Sequence, residues 1–268
     1  MNIGQYFQLL REGRSDEAEA LRKSVIPTKL IKHVWLDGSD KDERKFLSLR
    51  EQKLWISSIK KFNDPYEFKG MIIDRQKLLN AGYSDDYIDY LETVFQNDDL
   101  GIVCLSGNRI DYLPMWAYYT NNYQGFCVEY DVIKSDCIHE VQYERQRIAV
   151  ASLLFDYMHA VKELVRSQDA DSIAARYYGK IFMQSLFIKS SSWSHEKEFR
   201  IAYPIGNSDG QNVAVSNLGL RTSKIVAGIN CSDEHRQLLN EISNQIGCGN
   251  AYISELSGEE YTLIEKRM

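Results

Sequence analysis

Apolar positions along this chain change period several times, and the changes mark out its elements. The first 25 residues run at helical spacing: Asp16 with Glu19 three residues on forms a capping pair, and Ala18, Leu21, Arg22 and Val25 follow. They predict two short helices, closed by Pro27. Alternation then takes over in KLIKHVWL (29–36) and KLWISS (53–58), two expected strands with a turn and helix between them. KFNDPYEF (61–68) is expected to be a loop, because the residue before a proline is pushed out of helical geometry. A helix opens at Ser84, with Tyr87 and Leu91 on one side. GIVCLSG (101–107) and GFCVEYD (125–131) read as buried strands. The segment from Arg147 to Lys189 is helical in pattern, with a break around Ser167-Gln168-Asp169. From Glu198 onward come strands, a helix starting at Ser232, and a closing pair of strands. With no repeat and no evident linker, the organisation predicted is an N-terminal helical arm (1–26) on one α+β domain (27–268). Its sheet is expected to be mixed, mostly antiparallel and split, with helical insertions.

Composition narrows the partners more than the fold. The net charge of −6 and the pI near 5.5 argue against wrapping duplex nucleic acid by bulk electrostatics. Five cysteines, odd in number and without a C-x-x-C pair, read as reduced thiols rather than a disulfide framework or zinc site. Neither a signal-peptide core nor an apolar run of membrane length occurs, so a cytoplasmic protein with no membrane contact is expected.

Three stretches carry candidate chemistry. In KSSSWSHEKEFRI (189–201), strand alternation puts Glu196, Glu198 and Arg200 on one face and Phe199 and Ile201 on the core face. Two carboxylates on one face repel unless a cation lies between them, and Arg200 or Lys189 is placed to do this. A solvated edge strand would show the same alternation. In FNDPYE (62–67), Asn63 and Asp64 suit a turn bonded to its own backbone, which can equally serve as a ligand loop. The third stretch, LPMWAYYTNNYQGFCVEYD (113–131), crowds Trp116, Tyr118, Tyr119 and Tyr123 into eight residues. Adjacent Tyr118 and Tyr119 cannot both face inward from a helix, so at least one ring is expected at a surface.

In this order, KLWISSIKKFNDPYE, CLSGNRIDYLPMWAYYTNNYQGFCVEYD and KSSSWSHEKEFRI resemble the bacterial family called domain of unknown function 2971, over residues 29 to 230. That name assigns no chemistry. The E-x-E entering a strand also resembles the motif of ADP-ribosyltransferases, whose order of elements runs from a strand bearing Arg or His to a late strand bearing the catalytic Glu. This resemblance implies an ADP-ribosyltransferase-like fold and NAD as substrate. Glu198 would stabilise the oxocarbenium-like state formed as nicotinamide leaves, and Glu196 would orient or deprotonate the acceptor. The implied NAD-binding set is His33, Asn63, Asp64, Ser106, Trp116, Tyr119, Tyr123 and Arg200, with no metal. A Ser-Thr-Ser triplet is missing, and family members often carry Lys-Tyr where this chain has Lys32-His33. The acceptor, protein or nucleic acid, is not encoded in these motifs. By analogy, a toxin or phage-defence effector with an antitoxin or regulatory partner is implied. Two other classes stand beside this one: a metal-dependent nuclease built on Asp64, Glu67, Glu196 and Glu198, and a non-catalytic protein-binding module. The three motifs are expected to meet in one cleft.

Overall fold

A computed structural model describes residues 1–94, 99–149, 180, 183–184 and 186–268. Two helices come first, α1 (Ile3–Arg11) and α2 (Ser15–Ser24). Then follow β1 (Lys29–Val34), α3 (Lys41–Arg50), β2 (Lys53–Ser58), the short β3 (Met71–Ile72), α4 (Arg75–Asn80) and α5 (Asp85–Val94). The middle of the chain supplies β4 (Leu100–Ser106), α6 (Leu113–Tyr119), β5 (Phe126–Val132), β6 (Ile138–Glu140), β7 (Gln142–Glu144) and β8 (Ile148–Ala149). The last part holds β9 (Ile188–Ser190), β10 (Glu198–Pro204), β11 (Gly210–Ala214), β12 (Leu220–Ala227), α7 (Asp233–Gln245), β13 (Tyr252–Leu256) and β14 (Leu263–Arg267). The helical reading of 147–189 falls mostly outside the described residues; at its two ends Ile148–Ala149 and Ile188–Ser190 are strands.

Ten strands form one sheet, antiparallel except where β12 runs parallel to β13. Its organising feature is β4. One edge pairs along its whole length with β10, from Leu100↔Pro204 to Ser106↔Glu198. The other edge is shared: β2 takes the start of β4 (Ser58↔Gly101, Ser57↔Ile102), and β1 takes the end (Ile31↔Ser106). The sheet therefore splits on β4 into two arms, β2–β11 and β1–β5–β12–β13–β14, and α3 links β1 to β2 across the gap. This is the α+β arrangement with a mixed, mostly antiparallel sheet expected from the sequence.

Alternation sets which side chains fill the core. Phe199 and Ile201 of β10 pack with Val103, Leu105, Leu54, Ile56, Val128 and Tyr130 in the main cluster, as the apolar face of each strand requires. At α7, the Ser232 hydroxyl accepts the amide of His235, the ordinary cap at such a position. The arm of α1 and α2 has a small core of its own in Tyr6, Leu9, Leu10 and Ala18. It docks through buried Arg22, which donates to the carbonyls of Ser135, Asp136 and Ile138. Among the described residues no helix is long and apolar enough to cross a membrane.

Candidate functional site

The gap between the two arms of the sheet is a cleft of about 690 Å³. Its floor is made where β4, β10 and β9 come together. There Glu67, Lys189, Glu196, Glu198 and Arg200 form one buried ionic cluster of three carboxylates and two cations.

Each member arrives by a different local device. Glu198 and Arg200 alternate correctly on β10, opposite Ser106 and Cys104 of β4. Glu196 does not share that strand, which corrects the expected three-residue face. It ends a 3-10 turn (Ser191–Glu196), and left-handed Lys197 (φ 44°) swings the chain into β10. The turn is held from behind. The Ser106 hydroxyl and the Asn108 amide both donate to the Glu196 carbonyl (2.7 and 3.0 Å), and the Gly107 amide donates to the Lys197 carbonyl (2.8 Å). Ser106 thus reaches the cleft wall with its hydroxyl already committed to the turn. Glu67 comes from the FNDPYE loop, where Asp64 accepts the Tyr66 amide through its side chain and the Glu67 amide through its carbonyl.

Counting acceptors separates the two carboxylates of the E-x-E. An ionised carboxylate has about four lone-pair positions. Glu198 accepts three hydrogen bonds: Arg200 Nε on Oε1 (2.7 Å), and Arg200 Nη2 and Lys189 Nζ on Oε2 (both 3.1 Å). Among the described residues Glu196 accepts two, the Tyr119 hydroxyl on Oε1 and Lys189 Nζ on Oε2 (2.7 Å). Both carboxylates line the cleft, and Glu196 is the less committed of the pair by one donor.

The electrostatics follow from burial and pairing. Burial by itself would raise Glu198; the charge and hydrogen bonds of Arg200, with Lys189, reverse this and hold it at about 2. Burial would likewise lower Lys189 and Arg200, and the surrounding carboxylates push both up instead. Glu67 is the acid on which burial prevails, raising it against the pull of Arg200 and Lys189. Tyr119 is raised by burial and by its bond to Glu196, so it stays a neutral donor.

The structure brings His33, Asn63, Ser106, Tyr119, Glu196 and Glu198 to the cleft. Asp64, Trp116, Tyr123 and Arg200 do not line it. Trp116 is wholly buried, donates to the Ile110 carbonyl (2.6 Å) and stacks on Tyr123, so these two rings are core and scaffold rather than ligand surfaces. Asp64 is spent on its turn, and Arg200 lies behind Glu198. Of the adjacent tyrosines, Tyr119 enters the cleft and Tyr118 is exposed, as helix geometry demands. His33 packs edge-on against Trp116; burial, then the charge of Lys32, lower its pKa to about 3. Sequence reasoning missed Lys32, whose Nζ donates to the Cys104 carbonyl (3.0 Å), and Tyr143, whose hydroxyl accepts the Glu198 amide (2.9 Å). It also missed the cleft mouth, lined by Trp35, Lys41, Arg44, Lys53, Trp55 and Lys61. The spacing of Lys41, Arg44, Lys45 and Ser48 along one face of α3 was the available signal.

Comparison with curated proteins and with solved structures gives no significant match. A family model does match, over residues 115–201, a span running from α6 to the middle of β10 and so carrying Tyr119, Lys189, Glu196, Glu198 and Arg200. The family-level resemblance seen in the motifs is therefore supported: over residues 115–201 this chain is similar to the family described as "Protein of unknown function (DUF2971)".

Proposed function

We propose that the cleft cleaves the nicotinamide–ribose bond of NAD and transfers ADP-ribose, with Glu196 as the reacting carboxylate. One observation carries this: a buried glutamate held by two donors, Tyr119 and Lys189, and lining a cleft of nucleotide size. In the reaction, the bond from ribose C1′ to the pyridinium nitrogen breaks and nicotinamide leaves with the electron pair. Glu196 offers fixed negative charge to the oxocarbenium-like centre, and the acceptor's nucleophile then bonds to C1′ and gives up its proton. Glu198 becomes a positioning residue that holds Lys189, and through it Glu196. The stabilising role assigned from the sequence to Glu198 thereby passes to Glu196. The split sheet supports an ADP-ribosyltransferase-like architecture.

A second reading is a divalent-metal nuclease built on Glu67, Glu196 and Glu198, although among the described residues no group of three or more His, Cys, Asp or Glu side chains is placed to hold a metal ion. Against it, Lys189 lies within 2.7–3.7 Å of all three carboxylates, where a bridging ion would have to displace it. The test is nicotinamide release from NAD by purified protein, with and without chelator, and with cell extract as acceptor. Chelator-insensitive release that Glu196→Gln abolishes is expected. No release, with chelator-sensitive cutting of nucleic acid instead, overturns the proposal.

A further inference from the structure

The cleft is electrically bipolar, and its two ends point to different parts of one ligand. Its floor holds the carboxylate-rich cluster already described. Its mouth carries Lys41, Arg44, Lys45, Lys53 and Lys61 beside two exposed indoles, Trp35 and Trp55, which are 43% and 51% accessible. Three of these cations have partners: Lys45 with Asp42 (2.7 Å), Lys53 with Glu51 (2.7 Å) and Lys61 with Asp209 (3.2 Å). Lys41 and Arg44 form no ion pair among the described residues, although both lie in solvent at the cleft wall. They are three residues apart on α3, so they project over the same part of the gap. Trp55 stands on β2 with its ring against the backbone of Gly210, which fixes it as a flat platform.

We infer that the mouth is a nucleoside-diphosphate subsite: Lys41 and Arg44 take the diphosphate, and Trp55 stacks the base. This deepens the reading given above and rests on it for the identity of the whole ligand. A planar guanidinium suits paired phosphate oxygens, and an indole face accepts a purine without reading its edge. The polarity also orients the ligand. An NAD molecule has a cationic ring at one end and an anionic diphosphate in the middle, so its pyridinium belongs at the acidic floor and its ADP half at the basic mouth.

The probe is ADP itself, titrated calorimetrically into the intact protein in metal-free buffer, with AMP and adenosine as truncated arms. Affinity should fall in the order ADP, AMP, adenosine, and should weaken as salt rises. The double substitution Lys41→Ala with Arg44→Ala should weaken ADP by tenfold or more. Trp55→Ala should weaken all three ligands by about tenfold. These α3 side chains are exposed, so the double variant should keep the wild-type melting temperature. Failure of ADP to bind, equal binding by the double variant, or a single-stranded oligonucleotide that binds where ADP does not, each overturns the subsite. The two proposals fail separately. ADP held by Lys41 and Arg44 without nicotinamide release leaves the subsite and removes the reaction; release with an unchanged KM for NAD in the double variant does the reverse.

Discussion

Arg200 grips Glu198 two residues earlier on the same strand face, Nε to Oε1 at 2.7 Å and Nη2 to Oε2 at 3.1 Å, with the guanidinium wholly buried. Its Nη1 donates to the Leu186 carbonyl (2.7 Å) and its Nη2 also reaches Glu67 (2.5 Å), so this one cation pairs with two carboxylates. Losing it should be far worse than losing either acid. Arg200→Met leaves three buried carboxylates facing Lys189 alone, which should cost about 3–5 kcal/mol. At about 2–4 °C per kcal/mol for a chain of this size, the melting temperature should fall by roughly 6–20 °C. Glu198→Gln instead leaves two carboxylates against two cations and keeps an acceptor oxygen, so about 1–3 kcal/mol is expected. Calorimetric melts of both variants check the ranking; equal losses would show that charge balance does not govern the cluster.

The pH dependence of stability should come in two stages. His33 is held neutral, its pKa lowered to about 3 by burial and then by Lys32. The unfolded state, with an ordinary value of ~6.5, therefore binds the proton more readily, and stability is lost as pH falls below 6.5. By pH 5 this amounts to up to ~2 kcal/mol, and His33→Phe should flatten that part of the curve. Glu198 has a folded value of about 2 against ~4.3 unfolded, so its contribution is present above ~4.3 and is lost as pH falls toward 2. Glu67, raised by burial, acts in the opposite sense and costs stability as pH rises through ~4.3. Denaturant titrations of the wild type and of His33→Phe between pH 7 and pH 3 test this. An unchanged slope above pH 5 in the variant would remove the His33 stage.

What the sequence made legible is what depends on local periodicity. The alternation of Glu198 and Arg200 opposite Phe199 and Ile201 follows from strand geometry alone, and the structure keeps it. The need for a cation between two close carboxylates was also legible: of the two suggested, Lys189 pairs with both Glu196 and Glu198, whereas Arg200 pairs Glu198 with Glu67. Glu196 was misplaced because its position depends on a left-handed lysine, a conformation that non-glycine residues adopt only when tertiary contacts hold it. Those contacts come from Ser106, Gly107 and Asn108, some 90 residues earlier. Trp116 and Tyr123 entered the implied NAD-binding set because composition cannot tell a ring at a cleft from one in a core. Only the closure of α6 over β1 and β5 decides it.

Gly125 should be the least replaceable glycine before β5. An added Cβ would lie 2.0 Å from the Val34 carbonyl oxygen, which is backbone and cannot move aside. The residue also links Thr120 to Gly228 through its amide and carbonyl, closing the turn whose residues Asn121, Asn122 and Tyr123 all have positive φ. Gly125→Ala should cost about 2–3 kcal/mol through forced displacement of β1. Gly38→Ala is the control: φ is +77° but nothing lies within 4 Å, so only the conformational cost of about 1 kcal/mol remains. Comparable losses in the two variants would show that the Val34 contact relaxes cheaply.

Glu196→Gln separates the two carboxylates functionally. The amide keeps the shape, an acceptor oxygen for the Tyr119 hydroxyl and a place beside Lys189, and the cluster passes from three carboxylates against two cations to two against two. Stability should therefore change by less than about 1 kcal/mol. If Glu196 supplies the charge that meets the oxocarbenium-like centre, nicotinamide release should fall by about 10²-fold or more, mostly in kcat, because that charge matters most in the transition state. Tyr119→Phe removes a neutral donor rather than the charge itself, so a smaller fall, about tenfold, is expected. Glu198→Gln, acting through Lys189, should lower kcat less than Glu196→Gln while lowering the melting temperature more. The informative measurement is that crossed pattern, turnover against melting temperature for the two glutamine variants. A Glu198→Gln protein that is stable and inactive beside an active Glu196→Gln protein would return the reacting role to Glu198.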